Sequence, residues 1–255
     1  MSFITQRGAT GPLSLTANGA FQTSTDTSLE TIVGTRWDLS DGREVILVQA
    51  SAATTVAAGK LYQDAATIGD HTNIAVTAFQ AYSANGNVPA KVTVTLGATA
   101  VTANQYAGGF VVVNDNVGEG QTLRIASHPA ADASASLVIT LEDAPNTALT
   151  TASEVCLVVA HGNGVIISPT TVSGAAAGVG LYPIAASSYG FLVSKGEVAG
   201  LAQGALVVGT PISIGSVAGS FAQTPYSTNL VTGSILGYAV QAGVDTEYRT
   251  VFVNL

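Results

Sequence analysis

Charge is what this chain has least of. Lys, Arg, Asp and Glu make up 9% of its 255 residues, against roughly a quarter in an average globular protein. Its surface therefore has to be built largely from Ser, Thr, Asn, Gln and Gly. The basic residues Arg7, Arg36, Arg43, Lys60, Lys91, Arg124, Lys195 and Arg249 are scattered singly, and the net charge is −8. Binding to a nucleic-acid backbone requires clustered cations that release counterions, and attachment to an anionic membrane surface requires the same. Neither partner is expected. Long apolar runs are missing too: the longest, Gly174 to Ala186, includes Gly and Pro and falls short of the roughly 18–20 residues of a membrane-spanning helix. Met1 to Arg7 show no basic stretch leading into an apolar one, so no secretory leader is expected. The single cysteine, Cys156, excludes an intramolecular disulfide. Its place in Val155-Cys156-Leu157-Val158-Val159 predicts a small buried hydrophobe rather than a reactive thiol, and such usage fits synthesis in the cytoplasm.

What the chain does have is apolar residues at 47%, with many β-branched residues in short alternating runs between glycine-bearing breaks. Disorder needs low hydrophobicity with high net charge, so most of the chain should fold. Tyr106 to Glu142 organises the rest: strands are expected over Phe110 to Asn114, apolar on both faces, and over Gln121 to Ser127 and Leu137 to Leu141, which alternate. Asn114 to Gly120 supplies hairpin residues, and Pro129 closes the second strand. Val92, Val94 and Leu96 predict a half-buried strand from Lys91. Asp41-Gly42 predicts a turn ahead of a strand over Glu44 to Gln49. Between Ala50 and Asn85 the pattern fits either a strand with Ile74, Val76 and Ala78 on one face, or a short helix with Ala75, Ala78, Phe79 and Tyr82 on one face. A single helical turn is expected within Val101 to Tyr106. Asp143 to Thr147 reads as a domain boundary. Beyond it, short strands are expected over Ser153 to Ala160, Val165 to Ser168, Tyr189 to Ser194, Glu197 to Leu201, Ala205 to Val208, Pro211 to Ile214, Ser234 to Val240 and Tyr248 to Val253. Gly174 to Gly180 reads as a loop or a close backbone contact. The expected fold is all-β: an extended N-terminal arm at 1–35, then two small β-sandwich or β-barrel domains at 36–145 and 146–255, the second barrel-like.

Candidates for chemistry are few. His71, His128 and His161 each fall in an expected turn, and none has the spacing of a metal site. A Ser/His/Asp triad is defined by geometry, so the mere presence of those residues assigns nothing. Gly162-Asn163-Gly164 lacks the following helix that a phosphate loop requires. The acidic positions after Asp38 lack the ligand spacing of a calcium-binding EF-hand loop. Glu142 with Asp143, and Asp245 with Glu247, are the carboxylate pairs a hydrolase could use, but they flank strand ends where solvated turn residues are ordinary. Tyr182, Tyr189 and Phe191 could make a sugar-stacking platform, although core packing is the default for them. No catalytic, cofactor-binding or metal-ligating residue is assigned, and no enzymatic activity is expected.

Two segments carry a resemblance. Val101-Thr102-Ala103-Asn104-Gln105-Tyr106-Ala107-Gly108-Gly109-Phe110-Val111-Val112-Val113-Asn114-Asp115, running on through Gly118 to Gln121 and Ser127 to Ala131, resembles a segment of virion structural proteins of tailed bacteriophages. Ser188 to Val193 with Lys195-Gly196, and Ile235 to Arg249 with its Gly-Tyr-Ala strand, are similar to the small β-barrel of capsid decoration, or cement, proteins. The resemblance implies a homotrimer on the outer capsid surface that bridges subunits of the major capsid protein and stabilises the head. It carries no catalytic residues. The alternative it leaves is a head fibre, tail component or glycan-recognising receptor-binding protein of the virion.

Overall fold

A computed structural model of the chain describes residues 23–26, 29, 32–83, 88–224 and 235–255, with the backbone of three short strands nearer the N-terminus. The strands, in chain order, are β1 (Ile4–Gln6), β2 (Thr16–Ala17), β3 (Ala20–Phe21), β4 (Arg36–Leu39), β5 (Glu44–Gln49), β6 (Leu61–Gln63), β7 (Ile74–Gln80), β8 (Lys91–Thr95), β9 (Phe110–Asp115) and β10 (Thr122–Ser127). They continue with β11 (Ser136–Leu141), β12 (Glu154–Val158), β13 (Ile166–Ile167), β14 (Ala176–Gly180), β15 (Tyr189–Gln203), β16 (Pro211–Ile214), β17 (Phe221–Gln223), β18 (Gly237–Ala239) and β19 (Tyr248–Asn254). Among the described residues helical conformation is confined to short 3-10 turns, as at Gly69–His71, so the fold is all-β, as the composition predicts.

The chain folds as two compact units, residues 67–160 and residues 1–66 joined with 161–255. This corrects the division at 145. The Asp143 to Thr147 turn lies inside the first of these units, because the strand after it, β12, returns to pair with β9 and β7. An insertion of this kind leaves no mark in local periodicity, since strand partners far apart in sequence are what define it. Most of the expected arm lies outside the described residues. Its strand β1 pairs with β4 at the edge of the larger sheet.

The 67–160 unit is a closed antiparallel barrel in the order β10-β11-β8-β7-β12-β9. Strands β9, β10 and β11 form the expected meander, and β12 lies beside β9, which makes a Greek key. The alternating residues Val92, Val94, Leu137 and Ile139 fill the interior as cross-strand partners. Strand β9 is apolar on both faces in sequence but half-buried in fact: Val111 and Val113 point inward while Phe110 is exposed. In β7 the strand alternative holds. A register shift between Val76 and Ala78 reverses the alternation, so Ile74 and Val76 face the core and then Phe79 packs against it, which explains the helix-like spacing. Val101 to Tyr106 forms tight turns with Asn104 at positive φ and no α-helical turn.

The other unit is organised on β15, a strand of 15 residues. Two strands broken at Lys195-Gly196 are expected there, but pairing runs through the break. Its first half pairs with β5 on one edge and β14 on the other, and its second half with β19 and, in parallel, β17. The bend falls at the register shift between Val193 and Lys195, where Gly196 adopts φ +109 beneath the Arg43 side chain. Pairings β15-β17-β16-β18-β19-β15 close a ring of five strands, matching the barrel expected for the C-terminal region. The glycine-rich 174–180 segment supplies strand β14 rather than a loop, and it is also the close contact expected: a Cβ on Gly178 would stand 2.6 Å from Leu192 Cβ, and one on Gly180 2.2 Å from the Ala57 carbonyl oxygen. Strand β17 is not foreseen in the sequence, and Ala205 to Val208 makes a single bridge, Leu206 to Gly243. Trp37 and Phe191 meet edge to face at 5.2 Å in the core.

Candidate functional site

The final strand generates the site. In β19, Val251 and Val253 are fully buried, so by strand alternation Tyr248, Thr250 and Phe252 lie on the outer face. Their partners across β15 are Leu201, Ala199 and Glu197. On the other side Tyr238 of β18 pairs with Phe252, and the two rings stack at 4.9 Å and 9°. Beside Phe252 is a depression of about 400 Å³ lined by Asp41, Gly42, Arg43, Gly196, Glu197 and Phe252. A second, of about 330 Å³, adjoins it through Arg43 and Glu197 and extends over Ala199 and Thr250 to Gly59. The Tyr248 ring lies against Gly59, where a Cβ would come within 2.5 Å of it. Together the two depressions make up a groove, with Phe252 in the lining of the first and the Tyr248 ring against Gly59 of the second.

The β4–β5 hairpin sets the groove's polar wall. Gly42, at φ +84, turns the chain so that Asp41 and Arg43 face each other. Arg43 Nε donates to Asp41 Oδ2 at 2.8 Å, and Arg43 N donates to Oδ1 at 3.1 Å. The Arg43 guanidinium holds the Asp41 carboxyl below the usual carboxylate range. Glu197 is exposed on the groove floor.

A second cluster lies inside the barrel unit. His71 and Tyr106 are buried and His128 nearly so. His71 Nε2 donates to the Thr99 carbonyl at 2.9 Å, which leaves Nδ1 to accept the Tyr106 hydroxyl at 2.6 Å. The Tyr106 N–H donates to His128 Nε2 at 2.9 Å, and His128 Nδ1 donates to the Pro129 carbonyl at 2.8 Å. The His128 imidazole is thus fixed as a neutral tautomer, with a backbone N–H on one nitrogen and a carbonyl on the other. Burial pushes the Tyr106 hydroxyl up to about 12. It also pushes His128 down from its ordinary value, opposed by the bond to Pro129 and reinforced by His71. Every hydrogen-bonding nitrogen of the two rings is occupied within the barrel, so the network ties three turns together and presents no free base.

The remaining candidates are dispersed. His161 Nδ1 lies 2.7 Å from Asp64 Oδ2, and the N–H of Gly162 donates to Asp64 Oδ1 at 2.8 Å, so Asp64 pins the start of the Gly162-Asn163-Gly164 turn. Glu142 pairs with Arg124 at 3.0 Å, Glu247 pairs with Arg249, and Asp245 Oδ1 accepts the Gly204 N–H at 2.8 Å. Asp143 is exposed. Tyr189 and Phe191 are core residues, and the Tyr182 hydroxyl accepts the Phe191 N–H at 2.9 Å. The stacking surface is therefore Tyr238, Phe252 and Tyr248, signalled in sequence by Tyr248, Thr250 and Phe252 alternating with Val251 and Val253. Cys156 is half-buried rather than a core residue. Its thiol faces the Asn114 side chain at 3.4 Å on the outer side of β12. Among the described residues no three His, Cys, Asp or Glu side chains converge on a metal position.

The chain matches no protein-family model, no curated protein and no solved structure.

Proposed function

We propose that this protein is a virion structural protein of a tailed bacteriophage, a capsid decoration or cement protein that sits on the outer head surface as a homotrimer and bridges subunits of the major capsid protein. Its action is mechanical, with no catalytic step and no cofactor. The observation that supports this best is an apolar tip on the ring of five strands. Val207, Val208 and Val244 flank the antiparallel Leu206–Gly243 bridge, and these three valines are 54%, 60% and 59% exposed. In a chain with so few charges, such side chains suit a surface that another subunit covers. Each square ångström of apolar surface so buried contributes roughly 25 cal/mol, and many symmetric copies add avidity. The two segments of sequence resemblance fall on β9–β10 and on β15 with β18–β19, the strands that build the barrel and the ring.

The test is the double variant Val208→Asp/Val244→Asp. Both positions are solvent-facing, so the chain should fold as before while losing its sedimentation with capsids. Undiminished binding would remove the tip from the interface. A chain lacking residues 1–22, which keeps the Ser24–Tyr189 bridge and the core residue Leu29, provides a separate test of the arm: it should fold and fail to bind capsids.

A further inference from the structure

We infer that the outer-face groove of the discontinuous unit binds a neutral saccharide chain, with one sugar ring stacked on Phe252. The inference is independent of the capsid role. Tyr238 and Phe252 already form a two-ring stack, and the larger depression opens beside Phe252, next to Glu197. A ligand seated there takes the third place in the stack. The floor is continuous sheet, since β15 and β19 are paired along it.

The lining also selects among ligand classes. An extended peptide would need free backbone groups at a sheet edge, but here those groups are consumed in the pairing from Lys195–Asn254 to Leu201–Tyr248. Phosphates and acidic sugars would meet Asp41 and Glu197, with Arg43 already engaged by Asp41. A purely apolar ligand would leave those carboxylates desolvated and unpaired. A neutral pyranose meets every demand. One face of C–H groups stacks on an aromatic ring, and its edge of hydroxyls can donate to the carboxylates of Glu197 and Asp41 and accept from Arg43. The adjoining depression, reaching Thr250 and Gly59, against which the Tyr248 ring lies, extends the site past a single ring. Phe252 and Tyr248 are four residues apart on one strand, about 13 Å, so the groove suits a short oligosaccharide better than a monosaccharide.

The test is saturation-transfer NMR and titration of the full chain with maltotetraose, cellotetraose and chitotetraose, with sialyllactose as the anionic counter-probe. At least one neutral tetrasaccharide should bind with a Kd of about 1 mM or tighter. Phe252→Leu, which keeps apolar bulk but removes the ring face, should weaken it about tenfold or more, and Glu197→Gln should weaken it too. Capsid sedimentation of both variants should equal that of the parent chain, which separates this site from the capsid contact. Failure of all three neutral probes, equal affinity of the Phe252→Leu chain, or preference for sialyllactose would overturn the inference.

Discussion

Replacing Tyr106 by phenylalanine isolates the buried network that closes the barrel unit. The substitution keeps the ring, which is 1% exposed, and removes only the hydroxyl that donates to His71 Nδ1 at 2.6 Å. His71 cannot recover by changing tautomer, because Nε2 is committed to the Thr99 carbonyl. A buried acceptor is left without a donor, at a cost of about 2 kcal/mol. For a unit of this size that is roughly 8–16 °C in Tm. His128 adds a pH dependence. Its folded-state pKa lies below the unfolded value, so on acidification the unfolded chain takes up the proton first. The stability it contributes is complete above about pH 6.5 and declines below that by about 1.4 kcal/mol per pH unit until the folded-state pKa is reached. The two units can be followed separately. The only tryptophan, Trp37, is in the core of the larger unit, while the His71 and His128 ring signals in NMR report the barrel. Urea titrations between pH 7.5 and 5 should show the barrel midpoint falling with pH. The slope should drop by about one proton in His128→Gln, whose side-chain oxygen can still accept the Tyr106 N–H. An unchanged slope in that variant, or a Tyr106→Phe barrel as stable as the parent, would refute this account of the network.

Three further outcomes follow from the packing of the larger unit. Gly237→Ala would place a Cβ 1.8 Å from the Phe252 carbonyl oxygen and should cost about 3 kcal/mol or more in Trp37-monitored unfolding. Gly42→Ala, with nothing within 4 Å but φ +84, should cost only about 1–2 kcal/mol, from backbone strain alone. Arg36→Ala would remove the donor at 2.8 Å from the buried Glu44 carboxylate, on which Ser194 Oγ lies at 3.2 Å. The same unfolding measurement should show a loss of about 1–3 kcal/mol, less than for a wholly buried pair because a third of the Arg36 side chain is in solvent.

Local pattern made much of this fold legible. The Asp41-Gly42 turn, the strand at Lys91 and the meander from Phe110 to Leu141 follow from period-two alternation between φ-permissive turns, and all appear in the structure. The misplaced features depend on partners distant in sequence. Glu154–Val158 belongs to the barrel because it pairs with β9 and β7, and nothing in its own residues says so. Gly196 looks like a strand end, yet the Arg43 side chain covers it and pairing continues. Cys156 sits in an apolar run but takes the outward position of its strand, since Val155 and Leu157 take the inward ones. The same alternation, applied to Tyr248–Asn254, points to Tyr248 and Phe252 as outward aromatics. The groove itself could not be read in sequence, because Asp41 and Arg43 reach it from a hairpin far from β15 and β19 in the chain.

The capsid role is tested most directly by co-sedimenting the purified protein with capsids that lack it, with light scattering on the free protein. A decoration protein should be a trimer in solution and saturate capsid sites in a fixed ratio. A protein that stays in the supernatant at saturating capsid concentration would contradict the proposed role.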